Sequence, residues 1–580
     1  MTETFKLRDA FKSFKEDQDK TLSPQETLNT FNTRAAASGL DILRETRRVD
    51  TGRLGIPVFS SICGRDARMM TGTAKQMGKG ATPVQAEASA VMELTERFSF
   101  YGYAANPANF LVDRMAGLKD RTIGFDVLAL SVADTSAQTE AVGRYFADLP
   151  LRWTWAWNLT RGKKVLLPFD WFFAINQFNG SCAGNCNEEA LCQGICEVIE
   201  RHVSCDVGRG LFSTPGIRPE SADHPAVTDM TAKYRAAGVR IFLSDLSLDS
   251  GLPTVGVLAY DPATFPDKSE IVWTAGTATD PQKAMSRALT EAAQLGGDFN
   301  TGACYVASGL PKFKHLDQAA FITNVPPEIG IRDLPDLSHD NIRVEVENCL
   351  AALSARNMDV YIVDLTDPLL RLPAFYVIIP GARFFQRAEN ASAGMFAAKL
   401  TAENFPPDEA ITRLTDMGKM IGPAYYVDFY IGQGHLRKND PGMALIHFYR
   451  ALDRQPATQD MASIYSYIGQ ALKDRELYKE ALAAVEKGLA LDDERTDLLN
   501  LAGFCHFKRG EYEQAIGRFA AILDIDPSSA IDYANIGVNY RKLGDNAKAI
   551  YFYQQALTID PTIDFARQHL EELSGKAPLK

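Results

Sequence analysis

Residues 179–201 read NGSCAGNCNEEALCQGICEVIER. Gly180 and Gly184 mark a loop that runs into a helical pattern over 187–207. Near the end of the quoted stretch Glu197, Glu200 and Arg201 stand in the order E-x-x-E-R. Residues three or four apart share one helix face, so the carboxylates are presented together with an arginine beside them. The order recurs upstream. ASAVMELTER (88–97) carries Glu93, Glu96 and Arg97 on a helical pattern over 82–103, and GKGAT (78–82) leads into it. A third helical pattern, 281–296, contains MSRALTEAAQ with Arg287, Glu291 and Gln294.

One E-x-x-E-R is ordinarily a solvated helix face with a local ion pair. Two copies, each behind a glycine-bearing loop, open a second reading. Glycines let backbone N–H groups approach an anion, and a helix N-terminus favours negative charge. Carboxylates facing that anion would repel it unless a hard cation such as Mg²⁺ lies between them. Arginines would then clamp the phosphates. The composite reads as a non-standard Mg-ATP site, beside the simpler reading of solvated faces. The standard phosphate loop is absent. TGTAKQMGKGAT (71–82) comes near it, but Gly80 follows Lys79 where Ser or Thr is required. Neither H-E-x-x-H nor G-x-S-x-G occurs, which removes support for common zinc-protease and hydrolase readings.

Around these helices lie β-rich segments at 55–64, 254–262, 270–276, 359–365 and 374–381, bounded by Gly, Pro or Asp, and a further helical pattern at 342–356. The alternation predicts a mixed α/β (α+β) ATP-binding unit over 1–401. A helical connector is expected at 402–424. From 425 to 580 the pattern changes to a repeat. Gly432, Gly469, Gly503 and Gly537 are spaced by 37, 34 and 34 residues, and Ala444, Ala481, Ala515 and Ala549 each follow twelve residues later. Phe448, Phe519 and Tyr553 share one position, and Pro456, Pro527 and Pro561 close three of the four units. Small residues fit where two helices of a unit cross closely, and Pro stops the second helix. The spacing resembles the tetratricopeptide pattern, an all-α solenoid in which units stack because none can bury its own apolar face.

Composition sets the outer bounds. The 580 residues carry 61 Lys+Arg against 73 Asp+Glu, a formal charge of −12. Sequence-independent nucleic-acid binding needs a basic surface, so direct nucleic-acid binding is not expected. No apolar run approaches the roughly 20 residues that span a bilayer, and the charged N-terminus lacks a signal core. A cytoplasmic protein with reduced thiols is expected from the nine cysteines, which show no secreted-scaffold spacing.

Over about residues 20–400 the motifs resemble the YcaO family of ATP-dependent, amide-activating proteins. The match is carried by GKGAT and E-x-x-E-R at 78–97, by the 179–201 stretch, by R-x-x-x-E-x-x-Q at 287–294 and by FYVIIPGAR at 375–383. The resemblance implies ATP and Mg²⁺ as cofactors. It assigns Glu93, Glu96, Glu197, Glu200 and Glu291 to the metal side, and Arg201 and Arg287 to the phosphates. Asn185, Glu189, Gln193 and Gln294 would complete the nucleotide pocket, with Lys20 and Thr27 of KTLSPQET (20–27) at its edge. Glu200, Arg201 and Arg287 are the expected catalytic set. Cys182 stands where the family commonly has Ser before A-G-N, so a thiol is expected at the nucleotide.

The implied chemistry is phosphorylation of a peptide or protein backbone amide, giving a thioamide or an azoline. A thiol, hydroxyl or external sulfide adds to the carbonyl, and the phosphorylated oxygen leaves. The chain ends SGKAPLK rather than in the Pro-rich tail that azole-forming members often carry. The other reading is an ATP-binding accessory factor for a modification enzyme, such as one for ribosomal-protein methylthiolation. A third is a scaffold built on the repeats. Expected partners are a peptide or protein substrate, a sulfur-delivery protein or modification enzyme, and a second copy in a homodimer. The repeats suit either self-association or partner recruitment. Cys182, Cys186, Cys192 and Cys196 fall within fifteen residues, but their spacing is not that of a zinc site. Structural thiols, a redox or sulfur-handling role and a metal site remain open for them. The eight histidines are dispersed, with no pair at ligand spacing.

Overall fold

The computed structural model describes residues 5–14, 20–118, 121–132, 134, 138–302, 305, 307, 309–384, 391–527 and 529–574. The SGKAPLK tail beyond Ser574 lies outside them. The chain divides into two compact units, Met1–Ala393 and Gly394–Lys580. The segment 402–424 falls within the second unit, where helix Pro407–Ile421 buries Leu414 and Met417.

The first unit is built on three sheets. A five-stranded sheet runs in the order 272–277, 254–260, 240–245, 216–217, 327–329. A six-stranded sheet runs 111–114, 150–158, 361–364, 374–378, 181–183, with 163–168 also paired to 150–158. The third is a three-stranded antiparallel meander, 43–48, 58–63 and 75–79. The expected β-rich segments thus form strands, but the sheets also recruit charged or short ones that hydropathy does not reveal, such as LRETRR (43–48). GKG, expected as a loop, is partly the end of strand Lys75–Lys79.

Five helices matter for the site: α1 (Pro24–Ser38), α2 (Pro83–Ala105), α3 (Asn187–Gly210), α4 (Pro281–Gly296) and α5 (Ile342–Ser354). Local sequence sets their starts. Thr82 and Gln85 form a reciprocal capping box at α2, with Pro83 in the first turn. Asp280 caps α4 by accepting from the Gln282 and Lys283 N–H groups at 2.7 and 3.1 Å. Helix α2 covers the meander through Val91, Leu94 and Phe98. Helix α3 is packed among Phe375 and Val377 of the six-stranded sheet and Val346 and Cys349 of α5. Helix α4 lays Ala284, Ala288 and Ala292 among Val255, Val257 and Ala259 of the five-stranded sheet.

Three glycines let these helices lie against the backbone that feeds them. A Cβ at Gly78 would stand 2.5 Å from Ala90 Cα and 2.6 Å from Ala86 O of α2. One at Gly184 would be 2.6 Å from the Ala190 nitrogen of α3, and one at Gly276 would be 2.5 Å from Ala284 O and Ala288 N of α4. All three conflicts are with helix backbone, which cannot swing aside.

The second unit is all-helical. Four hairpins pair 425–437 with 441–453, 458–474 with 478–489, 496–508 with 512–525, and 530–543 with 546–559, and helix 564–573 follows. The repeat glycines sit at close crossings of the paired helices, as their small size predicts. A Cβ would meet the ring of Phe448 at 2.5 Å from Gly432, of Phe519 at 2.7 Å from Gly503 and of Tyr553 at 2.8 Å from Gly537. At Gly469 the neighbour is Val485, at 2.8 Å. Ala444, Ala481, Ala515 and Ala549 are completely buried. Among the described residues no helix is long and apolar enough to cross a membrane.

Because the obstruction at Gly78 is backbone, Gly78→Ala should destabilise the first unit by about 3 kcal/mol, the upper range for overpacking. Urea unfolding followed by tryptophan fluorescence reads this directly, since all five tryptophans lie between 153 and 273.

Candidate active site

One cavity of about 540 Å³ opens between α1, α2, α3 and α4. Each helix contributes the face that its spacing predicts. From α2 come Gln85, Ser89, Glu93, Glu96 and Arg97; from α3, Glu189, Gln193, Glu197, Glu200 and Arg201; from α4, Lys283, Arg287, Glu291 and Gln294. Lys20, Thr27 and Asn185 complete the expected set. The tertiary structure therefore gathers every candidate residue around one space, with a single exception.

That exception is Cys182. Its thiol is fully buried and donates to the Phe375 carbonyl at 3.4 Å. A Cβ on Gly194 would come within 2.6 Å of its sulfur, so the thiol fills the gap where α3 crosses strand 374–378. It belongs to the core and does not line the cavity, while the next residue, Ala183, does. The reason is alternation along a strand: Ser181 and Cys182 point to opposite faces.

Six carboxylates line the cavity together with four lysines and three arginines. Arg97 is the main internal balance on the α2 side. It pairs with Glu93 at 2.6 Å and Glu96 at 2.9 Å, donates to the Ser181 hydroxyl at 3.1 Å and lies 3.8 Å from the Phe178 ring centre. The Ser181 hydroxyl in turn donates to Glu96 at 2.6 Å. Burial opposes the charge on Arg97, but Glu93 and Glu96 outweigh it and hold the guanidinium protonated. Burial, then the charge of Glu93, raises Glu96 well above the carboxylate range. Glu197 is pushed up to about 7, first by burial; Arg201 and Arg97 pull it down while Glu93 and Glu200 push it up.

On α3, Glu200 accepts from the Thr277 N–H at 2.9 Å and lies 3.5 Å from Arg201. Arg287 donates to Gln193 at 2.6 Å, tying α4 to α3. Glu189 draws in the chain's N-terminal segment. It accepts from the backbone N–H and hydroxyl of Thr21, both at 3.1 Å, lies 3.6 Å from the Lys20 ammonium and accepts from the Asn185 amide at 3.0 Å. That junction places Lys20 at the cavity.

Lys79, Lys283 and Arg97 were not among the expected site residues. Lys79, from GKG, is ion-paired with Glu291. It is pushed down to about 8, first by burial and then by Arg287. Its position in a near-miss phosphate loop was the available signal. Lys283 has no motif around it; only the packing of α4 brings it to the cavity.

The lining suits a group of mixed charge. An anion alone would meet six carboxylates, and a cation alone would meet seven basic groups. The all-oxygen carboxylate set is the donor chemistry that a hard divalent cation takes. Among the described residues no three such side chains stand close enough to close on one ion. Glu93, Glu96 and Glu291 are turned instead to Arg97 and Lys79.

The family model for YcaO cyclodehydratase, ATP- and Mg²⁺-binding, matches residues 77–383, more than half of the chain. The chain belongs to the YcaO family. A tetratricopeptide repeat model matches residues 494–562. An uncharacterized protein of Methanothermobacter thermautotrophicus is 30% identical over 388 residues, covering 62% of this chain and 94% of that one. A protein from the tfuA 3′ region of Rhizobium leguminosarum is 25% identical, and this chain spans only 53% of its length. The ribosomal protein S12 methylthiotransferase accessory factor YcaO of Escherichia coli is 34% identical over 100 residues, 17% of each chain.

Among solved structures, a YcaO protein from Methanopyrus kandleri bound with AMPPCP and Mg²⁺ superimposes with a TM-score of 0.50 at 22% identity, over 65% of this chain and 95% of that one. A heterocyclase in complex with substrate and cofactor gives 0.52 at 22% identity, over 66% and 55%. At that identity the likeness is one of fold.

The raised Glu197 has a consequence for stability. Its proton is held more tightly in the folded than in the unfolded chain. Its contribution is therefore most favourable below the ordinary value of 4.5 and declines as pH rises toward about 7. In metal-free buffer, Glu197→Gln should flatten the wild-type loss of urea resistance between about pH 5 and pH 7. Parallel profiles for the two proteins would show that Glu197 does not carry this charge.

Proposed function

We propose that the first unit binds Mg-ATP and activates a backbone amide of a peptide or protein for conversion to a thioamide or azoline. The observation that carries this reading is the convergence of three carboxylate-bearing helix faces and seven basic side chains on one 540 Å³ cavity. That volume lies in the range of ordinary small-molecule pockets. Membership of the YcaO family supports the choice of nucleotide and metal.

Glu93, Glu96, Glu197, Glu200 and Glu291 would hold the metal, which supplies positive charge against the transferring phosphoryl group when bound. Arg201 and Arg287, with Lys20, Lys79 and Lys283, provide the cationic side of the pocket for the phosphates. Phosphoryl transfer asks the protein mainly for positioning and charge stabilisation. Gln193 fixes Arg287, and Thr277 fixes Glu200, so both groups are held before substrate arrives. Asn185 and Glu189 hold one another and anchor Lys20. No nucleophile on the enzyme is required, because the attacking oxygen is that of the amide.

The second reading, an accessory factor for another modification enzyme, is favoured by the name of the Escherichia coli relative and by the repeat array. ADP formation that depends on a peptide substrate separates the two. Calorimetric titration of Mg-ATP tests the site itself. Glu200→Gln and Arg287→Ala should each weaken binding by about tenfold to a hundredfold, the cost of losing one charged contact of about 1.5–3 kcal/mol. Equal affinity in all three proteins would remove these residues from the site. Absence of wild-type binding would leave the scaffold reading in the lead.

A further inference from the structure

Lys79 ends strand Lys75–Lys79, opposite Val58 of the middle strand of the meander. The glycines on either side press its backbone onto α2. A Cβ at Gly78 would meet Ala90, and one at Gly80 would stand 2.6 Å from Gln85 Cβ and 2.7 Å from the Ala86 nitrogen. The backbone is fixed there, and the side chain reaches from the meander to Glu291 of α4. Its ammonium also feels Glu200 of α3 and Glu93 of α2, which favour its charge, and Arg287 and Arg201, which oppose it. One lysine thus stands in the field of carboxylates from all three helices that carry the proposed metal side.

Other cations of the cavity are held differently. Arg97 is locked among Glu93, Glu96, Ser181 and the Phe178 ring. Arg287 is tied to Gln193. A planar guanidinium with several anchors cannot leave without stranding them. A lysine is a compact charge on a flexible four-carbon stem, and bond rotation alone withdraws it. A hard divalent cation seeks the same carboxylate oxygens as the ammonium. Two cations at one carboxylate repel each other strongly where water is scarce.

We propose that Lys79 is a stand-in cation: it keeps Glu291 neutralised until nucleotide enters, then turns to the phosphates and releases Glu291 for the metal. The inference rests on the Mg-ATP reading and deepens it. It makes the site take metal and nucleotide together and refuse the metal alone. The ammonium loses no compensation in the exchange, because the phosphates replace the carboxylate that it gives up. Glu291 in turn is never left as a bare charge.

The test reads metal binding directly. Mn²⁺ is titrated into the full chain without nucleotide, and the free ion is measured by electron paramagnetic resonance. Lys79→Met keeps the unbranched stem and removes the charge, so it should bind Mn²⁺ at least about tenfold more tightly than wild type. Lys79→Gln should gain likewise. Lys79→Arg keeps the charge and should bind as weakly as wild type. Adding Glu291→Gln to Lys79→Met should abolish the gain, which sets this carboxylate apart from the other acidic groups of the chain. Circular dichroism confirms that each variant is folded. Mn²⁺ affinity that is unchanged or weaker in Lys79→Met and Lys79→Gln would overturn the proposal, as would a gain that survives Glu291→Gln. Mg-ATP calorimetry on the wild-type chain keeps the two readings apart. Nucleotide binding without a metal gain in the variants would sink the role of Lys79 alone. A metal gain without wild-type nucleotide binding would leave Lys79 as the guard of Glu291 and sink the nucleotide reading.

Discussion

Six carboxylates and seven basic groups share the walls of one cavity, and the first unit is arranged to keep that charge in balance. Carboxylates cannot be withdrawn from water without compensation. Arg97 supplies it for Glu93 and Glu96, Lys79 for Glu291, and Arg201 and the Thr277 N–H for Glu200. Glu197 is left among neighbours of both signs and holds its proton up to about 7. Where protein cations already balance most carboxylates, a ligand carrying both signs can exchange with them without leaving a bare charge. A nucleotide with its metal has that character; a simple anion does not.

The balance holds only if α2, α3 and α4 stand at fixed separations. Gly78, Gly184 and Gly276 set these by letting each helix lie on the backbone that feeds it. A side chain at any of the three would lift its helix and move a carboxylate-bearing face. The second unit uses the same device for a different end. Its repeat glycines admit Phe448, Phe519 and Tyr553, or Val485, into the crossing of paired helices. In the first unit close approach positions charge, and in the second it closes an apolar core.

Periodicity made much of this legible from the residues alone. E-x-x-E-R at 93–97 and 197–201 and R-x-x-x-E-x-x-Q at 287–294 put particular side chains on one helix face, because helical geometry is local. The recurrence of glycine and alanine at intervals of 37, 34 and 34 residues similarly announced the hairpins. Strands such as Leu43–Arg48 and Ser181–Ala183 were not legible, because one is charged and exposed and the other is three residues long. They exist because a neighbouring strand offers unpaired backbone groups, and hydropathy does not record that.

Sequence by itself determined which residues share a face, where the main helices begin and where the repeats fall, since capping, helical period and glycine contacts act over a few residues. Tertiary structure alone decided what each face meets. It sent Cys182 into the core although its motif neighbours Ala183 and Asn185 line the cavity, and it brought Lys283, which no motif marked, to the cavity wall. It also joined Cys196 to Cys349 across 153 residues of chain. Burial and charge balance depend on which elements pack together in space, and spacing along one helix cannot specify its partner.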